Sequence, residues 1–113
     1  MADTTIFAKI INGDISCDKL YEDEYCIAFN DIAAQAPIHF LVIPKKPIIN
    51  LLSCVDEDKN LLGHLLLVGK KIAVSKNIEH WRTVINNGAE SGQTVFHLHI
   101  HFIAGRAMKW PPG

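Results

Sequence analysis

Hydrophobic positions recur along this chain with two different periods. From Leu61 onward they follow the helical one, where Leu61, Leu62, Leu65, Leu66, Val68, Ile72 and Ala73 form a broad apolar stripe, the mark of a helix lying on a core. Its start is expected near Ser53. Ser53-Cys54-Val55-Asp56 has capping-box spacing, Asp56, Glu57 and Asp58 suit the positive end of a helix, and Lys70, Lys71 and Lys76 suit the negative end. His64 falls within this helix, at its surface or edge. A shorter helix is expected over Thr5 to Ile11, with Ile6, Phe7, Ile10 and Ile11 at helical spacing and Asn12-Gly13 ending the run.

Elsewhere the pattern is that of strands. Lys19 to Tyr21 and Cys26 to Phe29 flank the acidic turn Glu22-Asp23-Glu24, and Phe40 to Ile43 is a continuous apolar run between Pro37 and Pro44. Trp81 to Ile85 follows the long helix. Thr94 to Ile103 closes the set, with His97, His99 and His101 alternating with Leu98, Ile100 and Phe102. Side chains alternate across a strand, so the imidazoles share one face and the aliphatics anchor the other. A short helix, three strands, a long helix and two strands predict an α+β fold with a five-stranded antiparallel sheet.

A length of 113 residues with 49% hydrophobic and 20% charged positions fits a single domain, 1–113, able to bury a core unaided. A net charge of −1 argues against a broad electrostatic grip on nucleic acid, so a phosphate ligand would need local donors. Residues 1–5 show neither the basic nor the apolar segment of a signal peptide. No apolar run approaches the roughly 18 residues of a membrane span. Cys17, Cys26 and Cys54 are odd in number and lack CxxC spacing, as expected of packing residues in a reduced, cytoplasmic protein.

Three imidazoles on one face suit either a metal or a nucleophile. Neighbouring pairs can pinch a zinc ion, but His97 and His101 would stand ~13 Å apart at ~3.3 Å per residue. With Zn–N bonds of ~2 Å, all three can hardly close on one ion, and completing its shell would take a distant ligand. As a nucleophile, a largely neutral imidazole can attack phosphorus, provided its second nitrogen is held by an acceptor. The preceding loop, Asn86-Asn87-Gly88-Ala89-Glu90-Ser91-Gly92, reads alone as a hairpin connection. Beside the imidazoles it is also a candidate phosphate cradle, with Gln93 and Thr94 adding an amide and a hydroxyl.

Gln93-Thr94-Val95-Phe96-His97-Leu98-His99-Ile100-His101-Phe102-Ile103 resembles the His-x-His-x-His motif of the histidine triad (HIT) superfamily. The stretches at Thr5 to Ile11, Ala28 to Ile32, Gln35 to Lys46 and Trp110-Pro111-Pro112-Gly113 resemble its Hint branch of nucleotide-binding proteins, so the likeness spans essentially the whole chain. The resemblance implies a metal-free, cofactor-free purine nucleoside phosphoramidase that cleaves the P–N bond of adenosine 5′-phosphoramidates and aminoacyl-adenylates to AMP and an amine. On it, His99 is the nucleophile that becomes nucleotidylated, His101 bonds the phosphate or bridging position, and His97 and His39 orient the rings. Asn86 and the Gly92 backbone hold phosphate oxygens, Thr94 contacts the phosphate or leaving group with the Gln93 amide a candidate beside it, and Asp31 accepts from the ribose hydroxyls. Ile6, Phe7, Ile10, Phe29, Ile32 and Leu41 surround the base.

The resemblance also implies a homodimer with a shared sheet. In it, the tail 106–113, carrying Trp110, reaches the partner. It implies neither a nucleic-acid nor a membrane partner. Four positions depart from the family pattern. Thr94 stands for a usual serine, Asn30 for a frequent His or Arg and Ala104 for a frequent glycine, while Lys109 precedes Trp110. Each candidate also has a plainer reading: Asp31 as a turn cap, His39 as a core histidine and the apolar set as core. A nucleotide-binding regulatory protein and a zinc hydrolase remain the alternative functions.

Overall fold

A computed structural model describes residues 5–113; residues 1–4, most of the segment read above for a targeting signal, lie outside the described residues. The short helix α1 (Ile6–Ile11) is capped by Thr5, whose hydroxyl accepts the Ala8 N–H at 3.0 Å. Strands β1 (Lys19–Glu22), β2 (Cys26–Asn30) and β3 (Ile38–Pro44) precede the long helix α2 (Lys59–Ser75). Strands β4 (Trp81–Val84) and β5 (Ile100–Ala104) follow it. All pairings are antiparallel and the spatial order is β1-β2-β3-β5-β4. The α+β fold with a five-stranded antiparallel sheet is therefore as the sequence pattern implies. Among the described residues no helix is long and apolar enough to cross a membrane.

The period of two sorts the core into two layers. Cys26, Ala28, Phe40, Val42, Ile100 and Phe102 face α2 and pack with Leu65, Val68 and Ile72. Ile27, Phe29, Leu41 and Ile43 face the other way and pack with Phe7 of α1. His39 and His101 share the parity of Leu41 and Ile103, so the sheet turns them toward α1, away from the long helix.

Three expectations need correction. Ser53 does not cap the long helix: it ends a 3-10 turn, Leu51–Ser53, in which Asn50 and Ser53 cap each other reciprocally. The acidic residues form a second such turn, Asp56–Asp58, because the Asp58 carboxylate folds back to accept the Val55 N–H and pairs with Lys46; α2 begins only afterward. Leu66, placed on the inward stripe, is 44% exposed, since Leu65, Val68, Gly69, Ile72 and Ala73 already fill the contact. Finally, the strand expected over Thr94 to Ile103 has ladder partners only across Ile100–Ala104. Leu98 instead donates its N–H to the Ile48 carbonyl at 2.7 Å. The alternation of faces survives the loss of the ladder, with Leu98 in the α2 layer and His97 and His99 beside Phe7.

The helix approaches the sheet most closely at Gly69. A Cβ there would lie 1.9 Å from Cζ of Phe102, whose ring is stacked on Phe40 at 5.0 Å and has little room to yield. We expect Gly69→Ala to lower unfolding stability by about 2–3 kcal/mol, read as an earlier urea midpoint; an unchanged midpoint would show that α2 is not seated on Phe102.

Candidate active site

Pairing of β3 with β5 sets Leu41 opposite His101 and His39 opposite Ile103. Two residues 62 apart in sequence thereby come into contact, with His39 Nε2 and His101 Nδ1 2.9 Å apart. The other two imidazoles enter from the irregular segment before β5. His99 stacks edge-on to Phe7 at 4.9 Å and lies 4.9 Å from the His101 ring, while His97 stands farther back, 6.3 Å from Phe7.

The tautomers follow from hydrogen-bond chemistry, because a carbonyl only accepts and a backbone N–H only donates. His99 Nδ1 is 2.8 Å from the His97 carbonyl, so Nδ1 carries the proton and Nε2 keeps its lone pair. His97 in turn donates from Nε2 to the Pro44 carbonyl at 2.8 Å. On the other branch, the Gln35 N–H donates to His39 Nδ1 at 3.0 Å. A neutral His39 must then carry its proton on Nε2 and donate to His101 Nδ1, which leaves His101 with its proton on Nε2. That Nε2–H is buried and has no partner among the described residues. A buried donor without an acceptor is costly, and such groups concentrate where a ligand supplies the missing bond.

Burial also fixes the charge. It pushes His39 and His99 below the ordinary imidazole value, against the opposing effect of Asp31 and, for His99, of its bond to the His97 carbonyl. His101 is pushed down to about 4, by burial first and then by its neighbours His99 and His39. These three rings are therefore neutral at physiological pH. One then presents a lone pair at His99 Nε2 and another an unpaired N–H at His101 Nε2.

Asp31 lies at the edge of this cluster. One carboxylate oxygen accepts the Ala33 N–H at 2.8 Å, as a turn cap would, and the other is 3.3 Å from His39 Nε2. Phe7, Phe29 and Leu41 are buried in the layer below, Ile10 is half-buried against it, and Ile6 and Ile32 expose 46% and 98% of their surface. Trp110 is exposed and near the Arg82 guanidinium, 6.0 Å away, rather than near the imidazoles.

The loop before His97 proves more committed to itself than its composition suggests. The Gln93 amide is spent entirely on bracing, accepting from Gly88 N–H and Asn50 Nδ2 and donating to the Ile49 and Val95 carbonyls. The Gly92 N–H goes to the Ala89 carbonyl at 3.1 Å, so it is not a spare donor for an anion. Gly92 has φ +98° and a Cβ there would stand 3.6 Å from Asn86 Nδ2, so the turn brings these two together. Thr94 is exposed next to them. Sequence reasoning missed Gln35 and Pro44, which act through backbone atoms and leave no signature in residue type.

Two groups of possible metal ligands occur among the described residues, Asp31, His39 and His101, and Asp23, Cys26 and His64. In the first, the 2.9 Å between the two ring nitrogens is a hydrogen bond, shorter than the roughly 3.3 Å kept by two nitrogens on one tetrahedral zinc. In the second, Asp23 is already bonded to Tyr21, Tyr25, Cys26 and His64, and burial pushes the Cys26 thiol up to about 12.

The sequence family described as "Scavenger mRNA decapping enzyme C-term binding" matches residues 4–110. An uncharacterized HIT-like protein of Synechococcus elongatus is 56% identical, with the whole of both chains covered. A HIT family hydrolase from Legionella pneumophila superposes with a TM-score of 0.94 at 40% identity, covering 97% of this chain and 100% of that one. A histidine triad protein from Clostridium difficile does so with a TM-score of 0.89 at 40% identity, covering 93% of each.

The depressed imidazoles make stability depend on pH with a definite sign. Below the unfolded-state value of 6.5 the unfolded chain binds protons that the folded rings refuse, so stability falls as pH drops from 6.5 toward about 4. The paired carboxylates Asp23, Glu22 and Asp58, held below their ordinary values of 3.8 to 4.5, act lower on the scale. We expect the urea midpoint to decline between pH 6.5 and 4.5 and His101→Gln to flatten that decline. A level wild-type profile would contradict the neutral cluster.

Proposed function

The chain belongs to the histidine triad superfamily, and from that premise we propose that it is a hydrolase of the Hint branch, a purine nucleoside phosphoramidase. It would cleave the P–N bond of adenosine 5′-phosphoramidates and aminoacyl-adenylates to AMP and an amine. The observation that carries this reading is the opposed pair at His99 and His101. A lone pair at His99 Nε2 stands beside an unsatisfied N–H at His101 Nε2, with ring centroids 4.9 Å apart. A nucleophile and a hydrogen-bond donor so placed suit displacement at a phosphorus, the donor meeting the phosphoryl or bridging atom as charge develops there.

The reaction has two steps. His99 Nε2 forms a bond to the α-phosphorus as the P–N bond breaks, the amine leaving with a proton from solvent water while the His101 Nε2–H donates a hydrogen bond to the phosphate or bridging position. Water then attacks the nucleotidyl-histidine, its oxygen stays on phosphorus, its proton passes to solvent, and AMP leaves as His99 recovers its lone pair. The His97 carbonyl steadies the positive charge that His99 gains when it is nucleotidylated, because the Nδ1–H it holds becomes more acidic and its hydrogen bond stronger.

Binding roles divide among the neighbours. A carboxylate accepts about four hydrogen bonds, so Asp31 can take the ribose hydroxyls besides the bonds it already has. Asn86 and the Thr94 hydroxyl are the polar groups for the phosphate, with Gly92 permitting the close turn and Gln93 holding the loop. Ile6 and Ile32 supply exposed apolar surface for the base, over a floor of Phe7, Ile10, Phe29 and Leu41.

A homodimer belongs to the same proposal. Among the described residues strand β4 is an unpaired sheet edge, and the outer face of α2 exposes Leu66, Leu67 and Val74. Joining the two would let the tail 106–113 bring Trp110 to the partner's site.

The test is steady-state turnover of an adenosine 5′-phosphoramidate bearing a fluorescent amine, with and without EDTA. The proposal predicts EDTA-resistant turnover that falls at least about a thousandfold in His99→Ala. Absence of turnover in the wild type would overturn it, and loss on chelation would point to zinc chemistry.

A further inference from the structure

Arg106 lies outside the imidazole cluster, exposed on the turn that follows β5, yet its bond reaches back to the loop before β3. Its Nε donates to the Gln35 carbonyl at 2.9 Å, while Nη1 donates to Ala107 at 3.3 Å. Gln35 is the residue whose own N–H donates to His39 Nδ1 at 3.0 Å. The same two segments also meet at Gly105, with φ +94°, where an added Cβ would stand 3.0 Å from Pro37. Ile38 pairs with Ala104 directly beneath. The turn after β5 therefore holds the backbone of the loop before β3.

We propose that Arg106 is a positioning residue that sets the tautomer of His39 and, through it, the proton on His101 Nε2. The inference rests on the reading of the site as a phosphoramidase only for its catalytic consequence. A charge-assisted bond to the Gln35 carbonyl fixes the orientation of that residue. With Gln35 fixed, its N–H stays aimed at His39 Nδ1 and holds the proton on the other His39 nitrogen. Without that donor, the proton can settle on Nδ1 instead. His39 Nε2 would then offer a lone pair toward His101 Nδ1, which would take the proton itself, and His101 Nε2 would lose the N–H that it offers to the phosphate or bridging position. The Asp31 oxygen, 3.3 Å from His39 Nε2, also favours an Nε2 proton, so loss of the Gln35 donor redistributes the two tautomers and does not switch them completely. The Gln35 side chain adds a bond to the Ala33 carbonyl at 2.8 Å, so the loop has some order of its own and Arg106 supplies the link to the sheet.

Imidazole 15N spectra of the full-length protein report each tautomer directly, whether or not the protein turns over any substrate. In the wild type we expect His39 and His101 both protonated at Nε2. In Arg106→Ala we expect His39 to redistribute between its two tautomers, with a matching change at His101. Arg106→Lys, which can still donate to the Gln35 carbonyl, should restore much of the wild-type pattern. Turnover should follow, with kcat about tenfold lower in Arg106→Ala and KM within about twofold of the wild type. Unchanged ring spectra in Arg106→Ala would overturn the proposal, even if activity fell. A wild type without turnover would overturn the proposed function and leave the tautomer assignment to be decided by the spectra alone.

Discussion

The antiparallel ladder between β3 and β5 is the constraint from which the site follows. It joins two segments on either side of the long helix and fixes their register, and a shift by one residue would send His39 and His101 to the α2 face. That register is held from the other side, where Phe40, stacked on Phe102, and Val42, opposite Ile100, are buried under α2. Apolar packing on one face of the sheet thus determines the placement of imidazoles on the other. The chemistry borrows its precision from a core that it does not touch.

What the register brings together, burial and hydrogen bonding then polarise. Packed around Phe7 and one another, the free rings are pushed toward the neutral form, and a neutral imidazole must choose which nitrogen bears the proton. Backbone groups make the choice in both branches. The His97 carbonyl takes the proton of His99 Nδ1, and the Gln35 N–H keeps the proton off His39 Nδ1. The result is an ordered arrangement of one lone pair and one free N–H, obtained from four residues of a single type.

Much of this was legible in the sequence because two periods write the fold plainly. The continuous run at Phe40 to Ile43 and the stripe through Leu65, Val68 and Ile72 fixed the layers, and alternation at His97, His99 and His101 put the imidazoles on a common side. Alternation holds even where the ladder does not, since Leu98 is pinned by the Ile48 carbonyl rather than by a neighbouring strand. The start of α2 was misplaced because a capping pattern records only spacing. Whether Ser53 or Asp58 folds back on a nearby N–H depends on Asn50, Lys46 and the turn between them. Likewise the chemistry of Gln93 and the Gly92 N–H suits ligand donors, whereas the loop uses both for itself. The pairing of His39 with His101, and the part of Gln35 in it, depends on contacts across the sheet that no local pattern encodes.

The central claim is that His99 attacks through Nε2 and carries the nucleotide between the two steps. Its most direct test is a rapid alkaline quench of the enzyme during turnover of an adenosine 5′-phosphoramidate, followed by peptide mass mapping. The account predicts an adenylyl group on His99, attached at Nε2, and appearing before free AMP reaches its steady rate. Turnover without such an adduct, or an adduct on another residue, would contradict it.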